Sequence, residues 1–385
     1  MNPHRQIVCL LGLSLALSLA AVGQTWFNTG APSNFWQSVA CSADGGKIVA
    51  AAGGEGNRGL IYTSTNGGQA WNQSTASSNY WVSVAGSADG SRFIAAAYNG
   101  GLYTSTDSGS TWQSNNVAPR IWQSVASSAD GSCLFAAYYN SLVFISTNGG
   151  AAWFSNSTAV ADIREVVVSA AGNQVFAGNN IGHAVASTNA GASWVARASL
   201  SSGFNSLAAS ADGSHLVAIT VGPTISLSTN AGVSWAATVL PPRSDWYYSA
   251  ASADGVRLAV AGQKGVIYAT TNFGQNWVSN DVPQLLWTGL ASSADGNFLV
   301  AVTVNQGIWI RRTAAIPNVN LTPNGGGDLK LSWTVPSTNV LVQQSADLLG
   351  WSNYTCSPAL NDTNLQAEVI LSNAPGSVFY RLKTP

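Results

Sequence analysis

Short apolar or alternating runs, punctuated by Asp-Gly and by Asn-x-Gly or Asp-x-Gly turns, fill the chain from Trp36 to Arg312 and return at a fixed interval. In the first unit the pattern predicts a strand around Trp36 to Cys41, a tight Asp44-Gly45 turn and a strand around Lys47 to Ala52. After a loop come a third strand, Leu60 to Ser64, the Asn66-Gly67-Gly68 turn and a fourth strand opened by Trp71. Glycine reaches positive φ freely, and Asn or Asp tolerates it while bonding its own backbone, so these dipeptides mark hairpins.

The string Ser64-Thr65-Asn66-Gly67-Gly68-Gln69-Ala70-Trp71 recurs in copies ending at Trp112, Trp153, Trp194, Trp235 and Trp277, about 41 residues apart. A second motif runs in phase with it. Ser42-Ala43-Asp44-Gly45 returns at Ser87, Ser128, Ser210, Ser252 and Ser293, and as Ser169-Ala170-Ala171-Gly172 without its Asp. Seven units of four strands fit an all-β, seven-bladed propeller. The seventh unit, Trp287 to Arg312, lacks the Asn-Gly-Trp string, whereas Trp26 has no strands of its own before it. Residues 24 to 30 are therefore expected to supply the missing outer strand and close the ring.

The residues Ser105, Asp107, Gly109 and Trp112 and their equivalents resemble the Asp-box, or bacterial neuraminidase repeat, over residues 24 to 312. That resemblance implies the same propeller. Asp-boxes occur in sialidases, seven-bladed xyloglucanases, sortilin-type receptors and photosystem II assembly factors, and there the box braces a turn away from the functional face. The chemistry agrees, because five of the six boxes carry Asn (Asn66, Asn148, Asn189, Asn230, Asn272), whose carbonyl accepts backbone N–H bonds as well as a carboxylate does, whereas a calcium loop needs several carboxylates. The box tryptophans are expected to pack across the outer strands.

Outside the repeats, residues 1–23 carry Arg5 and an apolar run from Ile7 to Ala21, the pattern of a signal peptide cleaved after Gly23. The domains expected are thus a signal peptide (1–23), the propeller (24–313), a Pro- and Gly-rich linker (314–327) and a small β-sandwich-like domain (328–385) with a faint resemblance to fibronectin type III modules. The last has strand-like runs at Leu329–Val335, Val340–Gln344, Ala367–Leu371 and Val378–Leu382. Secretion, to the periplasm, cell surface or medium, is the expected localisation. Cys9 belongs to the signal; Cys41, Cys133 and Cys356 have neither disulfide nor zinc spacing.

Composition narrows the function. Only 8% of residues are charged and the formal net charge is -1, which gives no basic field for nucleic acid. Beyond the signal no run is long enough to span a bilayer. No cofactor or metal motif is present, and a monomer is expected.

Repetition allows elimination, since a residue present in every unit serves the unit. The equivalent positions Trp36, Trp81, Trp122, Ile163, Phe204, Trp246 and Trp287 open the innermost strands, either as packing between blades or as a sugar-stacking ring. Two places on, Ser or Gly is the rule (Ser38, Ser83, Ser124, Ser206, Gly289), broken by Glu165 in the fourth unit and Tyr248 in the sixth. With Arg164, Arg243, Asp245, Trp246 and Tyr247 these form the candidate ligand site, on the face that also carries Glu55, Asp162 and Asp281. The expected function is a non-catalytic module binding a glycan or an extracellular protein there. The alternative is an extracellular glycoside hydrolase, drawing on Asp245 and Asp281 as a carboxyl pair, or, in a sialidase-like version, on Arg120, Arg164 and Arg243 with Glu165, Tyr248 and Asp162. Against the sialidase version, the early Phe-Arg-Ile-Pro motif is missing; the nearest string is Pro119-Arg120-Ile121-Trp122.

Overall fold

The computed structural model describes residues 26–312, apart from 159, 223, 239, 241–244 and 281, and, further on, 319–324, 328–334, 341–345, 352–353, 359–361, 366–371 and 379–383. The expected signal peptide lies outside the described residues. Residues 24–314 form one compact unit, and most of the C-terminal segment belongs to another.

The first unit is an all-β propeller of seven four-stranded antiparallel blades. Its innermost strands are Trp36–Cys41, Trp81–Gly86, Arg120–Ser127, Ile163–Val168, Phe204–Ala209, Trp246–Ala251 and Trp287–Ser292. The ring closes as the register predicts: Trp26–Asn28 pairs antiparallel with Ile308–Arg312, Trp26 opposite Arg311, and becomes the outer strand of the seventh blade. Between the second and third blades, Arg120 and Ile121 extend their strand to pair with Gly100 and Tyr98, so these two blades share one continuous sheet.

The serine turns hold the ring at its centre. Each turn's alanine donates its N–H to the carbonyl of the equivalent alanine in the next blade. Ala43 bonds to Ala88, Ala88 to Ala129, Ala129 to Ala170, Ala170 to Ala211, Ala211 to Ala253 and Ala253 to Ala294 at 2.7–2.8 Å, and Ala294 returns to Ala43 at 2.9 Å. The rest of the motif shapes the turn. The buried serine Oγ accepts an N–H five residues on, from Lys47, Arg92, Cys133, Gln174, His215, Arg257 and Phe298 in turn. Six of the serines also donate to the Asp carboxylate two residues on, at 2.5–2.6 Å. In the fourth blade, where the Asp is Ala171, Asn173 supplies the acceptor instead, at 3.1 Å from Ser169 Oγ.

The box turns are braced alike in all six copies. The Asn or Asp Oδ1 accepts the N–H four residues on at 2.8–3.0 Å, and the Ser or Thr Oγ accepts that of the box glycine at 2.8–3.1 Å. The box tryptophans reach into the seam with the preceding blade, Trp71 against the core shared by blades one and seven, Trp235 against that of four and five. The indole Nε1 of Trp71 donates to Thr29 Oγ1 at 3.0 Å and that of Trp277 to Thr238 Oγ1 at 2.9 Å, both just beyond the outer strand of the neighbouring blade. A Cβ on the box glycine would strike that neighbour: Gly68 faces Ile310, Gly109 faces Val49 and Gly232 faces Phe176. Its positive φ, 77° at Gly232, excludes other residues as well.

The C-terminal segment contains two antiparallel sheets. One joins Val319–Pro323, Leu329–Thr334, Gln366–Leu371 and Ala359–Asn361; the other joins Ser352–Asn353, Leu341–Ser345 and Phe379–Lys383. The strand Val319–Pro323 falls within the stretch expected to be linker. Alternating Val319 and Leu321 suit a strand, and Pro323 stands at its end on the sheet edge, where no ladder N–H is needed. Leu331, Trp333, Val342, Val369 and Leu371 are buried.

The closing strand yields a direct test. Trp26 is 7% exposed and packs on Trp287 at 6.1 Å, whereas its neighbour Phe27 is 46% exposed. Trp26→Ala is expected to destabilise the propeller by about 3–5 kcal/mol and Phe27→Ala by under about 0.5 kcal/mol in urea unfolding of the full chain. Equal losses would contradict closure by this strand.

Candidate functional site

Every innermost strand carries a β-bulge at the same place. The register against the second strand shifts between Trp36 and Ser38, Trp81 and Ser83, Trp122 and Ser124, Ile163 and Glu165, Phe204 and Ser206, Trp246 and Tyr248, and Trp287 and Gly289. A bulge puts two residues opposite one and re-aims their side chains. The residue before the bulge turns outward into the seam with the preceding blade; the next two line the central channel. The result is a cavity of about 550 Å³, into which all seven blades send both residues.

Burial settles the aromatic ring as packing. Trp36, Trp81, Trp122, Ile163, Phe204, Trp246 and Trp287 are at most 1% exposed, each in a core shared with the preceding blade. Trp246 is therefore no ligand-binding residue. Its ring meets Tyr268 edge-on, centroids 5.6 Å apart, and no face is left for a sugar.

A belt of polar contacts crosses the cavity wall. Ser38 Oγ accepts the Val84 N–H, Ser83 that of Val125, Ser124 that of Val166 and Ser206 that of Ser249, at 3.0–3.3 Å, each reaching the next blade. These bonds explain the repeated serine. Glu165 and Tyr248 replace it, and the two exceptional blades converge: Arg164 Nη2 donates to the Tyr247 hydroxyl at 3.1 Å across the channel. Tyr247 and Tyr248 stack obliquely, centroids 5.3 Å apart. Arg164, Glu165, Tyr247 and Tyr248 thus form one constellation in one cavity.

The remaining candidates lie elsewhere. Asp245 braces a hairpin; its Oδ2 accepts the Lys264 N–H at 3.0 Å and its carbonyl the Gln263 N–H at 2.8 Å, and it does not line the cavity. Arg243 and Asp281 lie outside the described residues. Arg120 stays within its own blade, its guanidinium 4.8 Å from the ring centres of both Tyr138 and Phe144, so it does not join Arg164 in an arginine cluster. Asp162, at φ 56°, forms the turn before the fourth inner strand and its carbonyl accepts the Asn180 N–H at 3.3 Å. Glu55 does reach the cavity mouth, where the Tyr98 hydroxyl of the second blade donates to it at 3.0 Å.

Elimination by repeat missed the neutral members of the wall. Gln37, Gln123 and Asn205 occupy the bulge position of their blades and, among the described residues, their side chains have no hydrogen-bond partner. The signal was present in the sequence at the position after the aromatic ring, where residue type varies from blade to blade while its neighbours hold constant.

Electrostatics singles out Glu165. It opens onto the cavity yet is enclosed by protein, and this desolvation pushes its carboxyl from the ordinary 4.5 up to about 8, against the opposing pull of Arg164 and of Ser124, whose Oγ lies 3.4 Å from Oε2. The Tyr248 hydroxyl is likewise raised, by burial first and then by Tyr247 and Glu165. At neutral pH the wall therefore holds one cation, Arg164, beside a protonated carboxyl.

The same end of the blades carries exposed apolar side chains. Phe35 and Leu286 immediately precede inner strands, Ile121 is the second residue of another, and Tyr139, Ile181 and Val221 follow second strands; all six are 40–61% exposed.

No protein-family model matches the chain, and no curated protein matches it. Among solved structures it is similar to YCF48 from Cyanidioschyzon merolae (TM-score 0.60, 13% identity, covering 74% of this chain and 98% of that one). It is also similar to Kuenenia stuttgartiensis hydrazine synthase (TM-score 0.60, 16% identity, 75% and 97% covered) and to YCF48 bound to D1 peptide (TM-score 0.56, 14% identity, 76% and 97% covered). At such identities the likeness concerns the fold, and the fold it supports is the β-propeller built above.

Proposed function

We propose that this protein is a secreted, non-catalytic interaction module that docks a segment of another protein over the cavity face of its propeller. The observation carrying this reading is the combination of a cavity of about 550 Å³ lined in part by uncommitted polar side chains with exposed apolar side chains on the same face. A peptide laid across the face covers Ile121, Ile181, Val221 and Leu286 with its own apolar side chains and lets a polar group descend to Gln37, Gln123, Asn205 and Arg164. Free glycans match the polar wall but gain little from exposed aliphatic side chains, and the inner-strand aromatic ring that would stack them is sealed in the blade seams. That one structural neighbour is a propeller described as bound to a peptide is consistent with this use of the fold.

The glycoside hydrolase alternative keeps one supporting observation, the raised carboxyl of Glu165, which suits a general acid. Its proposed carboxyl pair does not support it, because Asp245 is committed to the Gly262–Lys264 hairpin.

Purified full-length protein probed on a peptide array and a glycan array separates these readings. Peptide signals are expected, weakened at least about tenfold by Ile181→Asp or Val221→Asp, with circular dichroism and melting unchanged because both side chains are exposed. Glycan signals without peptide signals overturn the docking of a protein. Turnover of chromogenic glycosides that Glu165→Gln abolishes overturns the absence of catalysis.

The buried carboxyl also makes a stability prediction. A folded-state value above the unfolded one means the folded protein holds the proton longer, so Glu165 costs nothing in acid and progressively destabilises the fold as pH rises from 4.5 to about 8. Glu165→Gln is expected to melt higher than the wild type above about pH 8, with the gap closing toward about pH 4. A gap that widens in acid would show that the carboxyl is stabilised as the anion.

A further inference from the structure

The protein-docking reading leaves open what the partner places inside the cavity, and the wall itself constrains the answer. Arg164 is the single cation lining it, and among the described residues no carboxylate stands within ion-pair distance of its guanidinium. Its Nη2 is fixed by the Tyr247 hydroxyl from the sixth blade, which holds the planar group out over the channel. The Tyr248 hydroxyl, beside it in the same wall, has no hydrogen-bond partner among the described residues.

The bulge explains why the neighbouring carboxyl does not neutralise Arg164. Both residues of the bulge face the channel, but they diverge: Arg164 leans toward Tyr247 in the sixth blade, Glu165 toward Ser124 in the third. A second negative group therefore has room beside the guanidinium. An uncharged ligand would cover Arg164 and remove its water without replacing the lost charge interaction, which is costly.

We propose that the cavity binds a carboxylate of the docked protein segment, an Asp or Glu side chain or a chain terminus, seated on the Arg164 guanidinium between the hydroxyls of Tyr247 and Tyr248. This rests on the protein-docking reading above. An arginine fork matches a carboxylate in shape, and charge-assisted bonds in an enclosed site are about twice as strong as neutral ones.

Glu165 makes the site sensitive to pH. Carrying its proton at neutral pH, it adds no negative charge beside the ligand; once ionised it repels the ligand's carboxylate and competes for Arg164. The titratable and charged groups facing it are Arg164 on its own strand and Tyr247 and Tyr248 from the sixth blade, with Glu55 and Tyr98 at the mouth. The third and fifth blades contribute no titratable group to the lining; their polar members there are Gln123, Ser124, Ser127, Asn205 and Ser206. Binding is therefore strong below the value near 8 and falls as pH rises through it.

The test uses full-length protein and the peptides the array returns. Each is resynthesised with its carboxylates replaced one at a time, Asp by Asn, Glu by Gln and the terminus by an amide, and titrated by fluorescence anisotropy. One replacement is expected to weaken binding at least about tenfold, and Arg164→Gln is expected to weaken the parent peptide equally while making that replacement inconsequential. Wild-type affinity is expected to drop at least about fivefold from about pH 7 to about pH 9, while Glu165→Gln stays flat. Peptides that bind indifferently to every carboxylate replacement overturn the carboxylate site and leave the docking reading standing. Absence of any bound peptide, or binding confined to uronic-acid glycans, overturns both.

Discussion

The ring of seven alanine-to-alanine hydrogen bonds is the constraint on which the rest of the propeller depends. Their N–H and carbonyl groups line the central channel, and each finds its partner in the adjacent blade. A ring with an open end would strand a donor at one side and an acceptor at the other. Ala294 bonding back to Ala43 is therefore closure enforced from the centre, while Trp26–Asn28 pairing with Ile308–Arg312 enforces it at the rim. The surrounding serine and aspartate exist to hold the alanine at the angle this bond needs.

At the opposite end of the same strands the constraint is looser, and there the protein has room for specificity. The bulge in each inner strand turns two side chains into the channel, and serine at the second of them stitches four of the seven blade junctions. Glu165 and Tyr248 give up that stitch. In exchange the channel gains a cation fixed by a tyrosine, a carboxyl whose proton is held to about pH 8 by burial, and a second phenol, all in reach of one ligand. A fold of repeated units can carry such losses because neighbouring junctions keep the ring in register.

Much of this was legible in the chain itself because a repeat reports its own exceptions. Glu165 and Tyr248 stand out against the repeated serine in the sequence, and so does the closing strand at Trp26. Trp246 and Asp245 misled for a physical reason. Sequence adjacency to Tyr247 and Tyr248 placed them at the right height in the blade, but a strand alternates its faces and the bulge resets that alternation, so Trp246 points into a seam at 1% exposure and Asp245 ties down a hairpin. Arg120 likewise shares a face with Arg164 yet its guanidinium is held against the rings of Tyr138 and Phe144. The channel amides Gln37, Gln123 and Asn205 escaped notice because neutral residues at a variable position carry no mark of chemistry.

The sequence by itself determined the number of blades, their phase and the way the ring closes, since these follow from periodic turn residues whose backbone demands are local. It also marked which two blades depart from the rule. Whether those departures meet was decided only by tertiary structure: blades four and six are separated along the chain by 83 residues between Arg164 and Tyr247, and only the curvature of the closed ring brings them within 3.1 Å. The state of Glu165 is of the same kind, because a carboxyl's proton affinity depends on what surrounds it, and six other blades supply those surroundings.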